Sequence, residues 1–191
     1  MPLSERQRTL ICLLVLSVLP VLLQWPSWTG WLSQNPIYSI SGLSTGGTNP
    51  PLDGMPWVDG NAGATMQALG RGVVRSWAHG EIPWWNHRAG VGLPLAAEMQ
   101  PGAFFLPFIL LLGLFDGLLM LKLVMQAIAG LATYGLLRAL GLGRRAACLG
   151  GILFQLNGTF AFFSDAPIMP APFLPLLLLA IEGCALSLIH I

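Results

Sequence analysis

Residues 117–137 read GLLMLKLVMQAIAGLATYGLL, with one formal charge, Lys122, close to the start of the run. A charge at the centre of a bilayer helix is costly, whereas a lysine near one end can extend its ammonium to the headgroups. The stretch therefore reads as a membrane-spanning helix, since a crossing takes roughly 17–25 apolar residues. Working outward, residues 9–25, TLICLLVLSVLPVLLQW, are uncharged and follow Arg6 and Arg8, with Pro20 placed to kink a helix. Residues 146–163, AACLGGILFQLNGTFAFF, carry no charge, and residues 172–190 carry Glu182. The fold class expected is an all-α integral membrane protein, one membrane domain over residues 1–191 with about four transmembrane helices.

The composition agrees. Hydrophobic residues make up 54% of the 191 and charged residues 9%, against about a quarter charged in soluble domains, too few to clothe a soluble globule of this size. A net charge of +1 removes the electrostatic case for nucleic-acid binding. Cys12, Cys148 and Cys184 all lie in apolar runs, without the spacing of a metal site or a disulfide framework, and read as small core residues.

Basic residues settle the expected topology. The apolar run at residues 103–115, AFFLPFILLLGLF, is short for a crossing and is interrupted by Pro107. Counted as a span, it would put Arg138, Arg144 and Arg145 on the side opposite Arg6 and Arg8, against the positive-inside tendency. Treated as a re-entrant or interfacial segment, it leaves both basic clusters cytoplasmic. Spans are then expected at residues 9–25, 117–137, 146–163 and 172–190, with an extracytoplasmic loop at 26–116. The connection RALGLGRR at 138–145 becomes a tight cytoplasmic turn whose glycines suit helix ends. A cleaved signal peptide is the competing reading of the first run, although PSWTGW after it lacks a small-x-small cleavage pattern.

All seven tryptophans fall between Trp25 and Trp85, and indole favours the headgroup region, so the loop is expected to lie against the outer membrane face. NPPLDGMP at 49–56 is turn chemistry. Beyond it Met66, Leu69, Val73 and Trp77 recur at helical spacing while Gln67, Arg71 and Arg75 occupy other faces. This is an amphipathic helix that either lies on the membrane, with Arg71 and Arg75 toward lipid phosphates, or packs within the loop with a solvated face. No nucleotide loop, zinc-protease motif, nucleophile elbow or repeat period is present, and Asn157-Gly158-Thr159 matches a glycosylation acceptor inside an expected span, where it reads as incidental.

Several phrases carry a resemblance: GEIPWWN at 80–86, GVGLPLA at 90–96, QPGAFFLP at 100–107, YGLLRALGLGRRAA at 134–147, Asn157-Gly158-Thr159, and APFLPLLLLAIE at 171–182. Over roughly residues 53–182 the chain resembles the N-terminal part of YfhO-like bacterial membrane proteins, which are similar to the GT-C class of integral-membrane glycosyltransferases. The resemblance implies a multi-pass protein of the bacterial cytoplasmic membrane with its N-terminus in the cytoplasm. It implies sugar transfer, on the outer face, from a polyprenyl-phosphate-linked donor to a cell-envelope glycan or lipid acceptor, with membrane lipids as the other partners and no nucleic acid. The alternative is a non-catalytic relative that moves or presents lipid-linked sugars. A small transporter is a third reading, for which only Lys122 and Glu182 offer an intramembrane pair.

The first outer loop of such enzymes carries an acidic catalytic residue, and the resemblance places it at Asp59 in WVDGN, with Asp53 second. A carboxylate there can take the acceptor proton while an oxocarbenium-like transition state forms and the lipid phosphate leaves. Arg88, beside His87, is the favoured group for the donor phosphate, with Arg71 and Arg75 as the loop's other cations. Glu98 and Gln100 are placed for the acceptor, and Asp165 for the same outer cavity. Each has a plainer reading: Asp59 and Asp53 as turn or cap residues, Glu81 as an exposed loop charge, Glu98 and Gln100 as caps on backbone groups, His87 as a packed ring. No metal ligand set is assigned, and the cofactor question stays open, a divalent metal included. The chain is expected to be a fragment of a longer enzyme, with residues 187–191 foreign to it.

Overall fold

A computed structural model describes residues 4–29, 68–88, 90–98, 102–112, 117–158, 160 and 170–189. The elements are mostly helices: α1 (Glu5–Leu23), α2 (Trp25–Trp28), α3 (Ala68–Ala78), α4 (Leu106–Leu112), α5 (Gly117–Ala139), α6 (Arg144–Gln155) and α7 (Leu174–Ile189). A two-stranded hairpin, β1 (Trp85–Asn86) and β2 (Leu93–Pro94), lies between α3 and α4. Among the described residues two helical segments are long and apolar enough to cross a membrane, Glu5–Leu23 and Leu119–Ala139, and Ala171–Ala185 is a shorter apolar helical stretch. The chain divides into two compact units, one of residues 1–25, 123–161 and 170–191, the other of residues 26–122 and 162–169.

In the first unit, α1 begins with a reciprocal cap. The Gln7 N–H donates to Ser4 Oγ at 3.2 Å and the Ser4 N–H to Gln7 Oε1 at 2.8 Å, satisfying two N-terminal donors that would otherwise be orphaned. Hydroxyls in the apolar helices bond back to their own backbone, Ser17 to Leu13 O at 2.9 Å and Thr133 to Ala129 O at 2.8 Å, which removes the cost of carrying them there. The helix runs on through Pro20, whose side chain is buried.

Helix α6 starts with Arg144 and Arg145, an unfavourable sign for a helix N-terminus. Arg144 is compensated by an ion pair with Glu5 and by donating Nε–H to Thr9 Oγ1 at 3.0 Å. The starts of α1 and α6 therefore lie side by side. Higher up, Leu16, Tyr134 and Ala147 are buried together with Cys12, Leu131, Cys148 and Ile152 packed around them, so α1 and α6 run parallel. Helix α5 ends at Gly141, in the left-handed region at φ +84°, with the Leu142 N–H returning to Leu137 O at 3.0 Å. The turn is short enough to make α5 antiparallel to α6. Arg6, Arg8, Arg138, Arg144 and Arg145 consequently gather at one end of this unit.

The third expected span differs from its helix. Residues 146–163 are continuously apolar, yet α6 stops at Gln155; Leu156 turns, Asn157 leaves the helix, and helical backbone resumes at Gly158. Asn157 is the cause, since asparagine favours non-helical backbone over the helix interior. The twelve residues of α6 extend about 18 Å at 1.5 Å per residue, short of a bilayer core.

Candidate functional site

The second unit contains the phrases GEIPWWN, GVGLPLA and QPGAFFLP together with most of the candidate site residues, so its described residues form the candidate site. Helix α3 turns Leu69 and Val73 onto Leu95, Ala103 and Ile109, burying Val73, Leu95 and Ala103. Its apolar stripe is thus used inside the unit, the packing alternative for this helix. Trp77 extends the contact by donating Nε1–H to Ala103 O at 2.9 Å, giving the indole the partner it needs when partly buried. The Phe104 ring then stands edge-on to both Trp77, with centroids 6.3 Å apart, and Trp84, at 5.9 Å. Helix α4 has seven residues, about 10 Å of helix, too little to cross a membrane.

The hairpin pairs Trp85 with Pro94 and Asn86 with Leu93. The Leu95 N–H adds a bond to Trp84 O at 3.0 Å, so GEIPWWN and GVGLPLA are the two sides of one small sheet. Gly92 is required there on two counts: its φ of +98° disfavours any side chain, and the Trp85 indole occupies the space a Cβ would take. His87 and Arg88 sit at the turn following β1, both exposed, and the Arg88 N–H donates to Asn86 Oδ1 at 3.0 Å, an Asx-type turn that orders the backbone beneath the guanidinium.

Arg71 and Arg75 lie one turn apart on α3, both exposed, and Glu81 and Glu98 are exposed on either side of the hairpin. Among the described residues, no hydrogen bond or ion pair joins the side chains of Arg71, Arg75, His87, Arg88 and Glu98 to one another. Asp53, Asp59, Gln100 and Asp165 lie outside the described residues. The structure thus presents three accessible guanidinium groups on an aromatic-rich unit. Such groups bind phosphate by charge-assisted, often bidentate, hydrogen bonds. Among the described residues no three His, Cys, Asp or Glu side chains gather as a metal site would require.

Sequence reasoning missed the Trp77 to Ala103 bond and the Arg144, Glu5 and Thr9 arrangement. Both join residues distant in the chain, and neither leaves a local pattern. It also passed over Gln126 and Gln155, although two carboxamides in otherwise apolar runs are a signal in themselves. No protein-family model matches the chain, and neither a curated protein nor a solved structure does.

Proposed function

We propose that the chain is a multi-pass protein of a bacterial cytoplasmic membrane, its N-terminus in the cytoplasm, working as a GT-C-type glycosyltransferase. It transfers a sugar from a polyprenyl-phosphate donor to a cell-envelope acceptor on the outer face. The activity rests on the resemblance to YfhO-like proteins over residues 53–182.

The structural observation in its favour is the placing of Arg144 beside Glu5 and Thr9. With α1 and α6 parallel and α5 antiparallel to them, the chain leaves the first unit after α1 and re-enters through α5 at the end remote from the arginines. In a membrane that end is the outer one by the positive-inside tendency. A long loop between α1 and α5 then begins and ends at the outer headgroup level, where a polyprenyl phosphate presents its sugar. The four-span arrangement, with residues 146–163 and 172–190 as the third and fourth crossings, belongs to this proposal.

In the reaction, Asp59 accepts the proton of the acceptor hydroxyl as its oxygen bonds to the anomeric carbon. The bond from that carbon to the phosphate oxygen breaks, and the polyprenyl phosphate leaves with the electron pair, its charge held by Arg88. Asp53 is the second candidate for the carboxylate. Glu98, Gln100 and Asp165 bind acceptor hydroxyls, His87 supports Arg88, and Arg71 and Arg75 meet lipid phosphates.

The test is sugar transfer from a polyprenyl-phosphate donor in membranes carrying the protein. Asp59→Asn should lower the rate by at least about 100-fold, as loss of a general base does, with expression and membrane insertion unchanged. Full transfer by that variant would remove Asp59 from the mechanism, and the absence of transfer by the wild-type protein with any such donor would overturn the enzyme reading.

A further inference from the structure

The parallel seam between α1 and α6 has two fixed points. At one, Arg144 Nε–H donates to Thr9 Oγ1 at 3.0 Å; at the other, a Cβ on Gly151 would stand 3.0 Å from Leu16 Cδ2. Thr9, Cys12 and Leu16 follow at three- and four-residue steps on α1, as Arg144, Cys148 and Gly151 do on α6, so each set lies along one helix face. Between the two fixed points, both helices therefore bring a cysteine to the seam at the same level. The thiols meet there in hydrogen-bonding contact, and both pack on the cluster of Leu16, Tyr134 and Ala147. Neither cysteine is fully buried, which leaves the pair open to a small ion.

Two thiols side by side on separate helices are a donor set for a soft cation, because thiolate sulfur selects ions such as copper(I) over hard ones. The number of donors narrows the choice. Zinc takes four ligands in a structural site, and among the described residues no third His, Cys, Asp or Glu joins the pair. A closed-shell monovalent ion is satisfied by two thiolates in line. Two metal–sulfur bonds of roughly 2.3 Å would hold the sulfurs about 4.6 Å apart, a small opening of thiols already in contact. Arg144 lies one turn from Cys148, and Arg8 one turn from Cys12. Guanidinium charge thus stands near the negative charge that two thiolates and one monovalent cation carry together.

We propose that Cys12 and Cys148 form a two-coordinate site for a soft monovalent cation of the copper(I) kind, which fastens α1 to α6. On binding, each thiol loses its proton to solvent and each sulfur gives an electron pair to the ion. No electron is exchanged, so neither oxidant nor reductant is needed. Cys184, exposed on α7, takes no part.

The experiment titrates the full chain, freshly reduced and in detergent micelles without oxygen, against copper(I) held by excess bicinchoninate, whose colour reports the copper withdrawn. Wild-type protein and Cys184→Ala should each withdraw one copper(I) per chain, and Cys12→Ala and Cys148→Ala none. In the wild type, a measurement that needs no variant, the bound ion should shield Cys12 and Cys148 from alkylation while Cys184 reacts at its full rate. Copper(I) should also raise the thermal midpoint of the wild type, because only the folded seam presents both sulfurs together, and leave that of Cys12→Ala unchanged. Excess zinc(II) should displace none of the copper. No withdrawal by the wild type, an equivalent retained by Cys12→Ala or Cys148→Ala, displacement by zinc, or protection of Cys184 would each overturn the site. Sugar transfer is no part of this readout, so the site and the enzyme reading can fail separately.

Discussion

Gly151 and Gly183 lie on two apolar helices, and an added methyl group meets different surroundings at each. At Gly151 the new Cβ would stand 2.7 Å from the backbone oxygen of Gly130 and 3.0 Å from Leu16 Cδ2. A backbone atom cannot rotate away, so α5 and α6 must separate, a strain of about 1–3 kcal/mol. At Gly183 nothing lies within 4 Å, and alanine gains about 0.5–1 kcal/mol of helix preference over glycine. Thermal unfolding in detergent should therefore show a lowered midpoint for Gly151→Ala and an unchanged or raised one for Gly183→Ala. Equal shifts in the two variants would mean that the glycine crossing does not form. Both positions look alike in the sequence, each a glycine in an apolar run, and only the neighbouring helix separates them.

Among the elements, α1 and α6 make the least expected pair, because 120 intervening residues separate the end of one from the start of the other. The Glu5–Arg144 ion pair aligns them but is worth only about 0–1 kcal/mol, Glu5 being largely solvent-exposed. Their cohesion comes from apolar burial around Leu16 and Ala147. The thiols of Cys12 and Cys148 meet in hydrogen-bonding contact along the same seam, while Cys184 is exposed on α7. Mild oxidation by iodine in membranes should accordingly join Cys12 to Cys148 and leave one thiol, Cys184, open to alkylation. A peptide map showing Cys12 and Cys148 still separately alkylated would refute the parallel pairing, since a disulfide needs Cα atoms within about 7 Å.

For the molecule as a whole, the gathering of five arginines at one end of the first unit makes a prediction about sidedness. In a cysteine-free background, Trp85→Cys should react in intact cells with a membrane-impermeant maleimide, and Gly143→Cys only after the cells are opened. The reverse pattern would reject both the orientation and the outer-face location of the site. Much of this architecture was legible in the residues themselves. Uncharged runs announce α1 and α5, because each charge in a bilayer core is too costly to hide, and the helical spacing of Leu69, Val73 and Trp77 announces α3 as an amphipathic helix without saying whether its apolar stripe meets membrane or protein. The alternation of Pro and Gly around GEIPWWN and GVGLPLA marked a punctuated segment, but not that its two phrases pair as strands. The break at Asn157 was concealed by the uncharged run at 146–163, which reads as one span. What the sequence determined by itself was the set of segments and their preferred surroundings, since these depend on neighbours along the chain. Tertiary structure alone decided that Arg144 meets Glu5 and Thr9, that the α3 stripe faces Leu95 and Ala103, and that Gln155 lies against Gly130. Those contacts join residues tens of positions apart, and their energy exists only once the helices have packed.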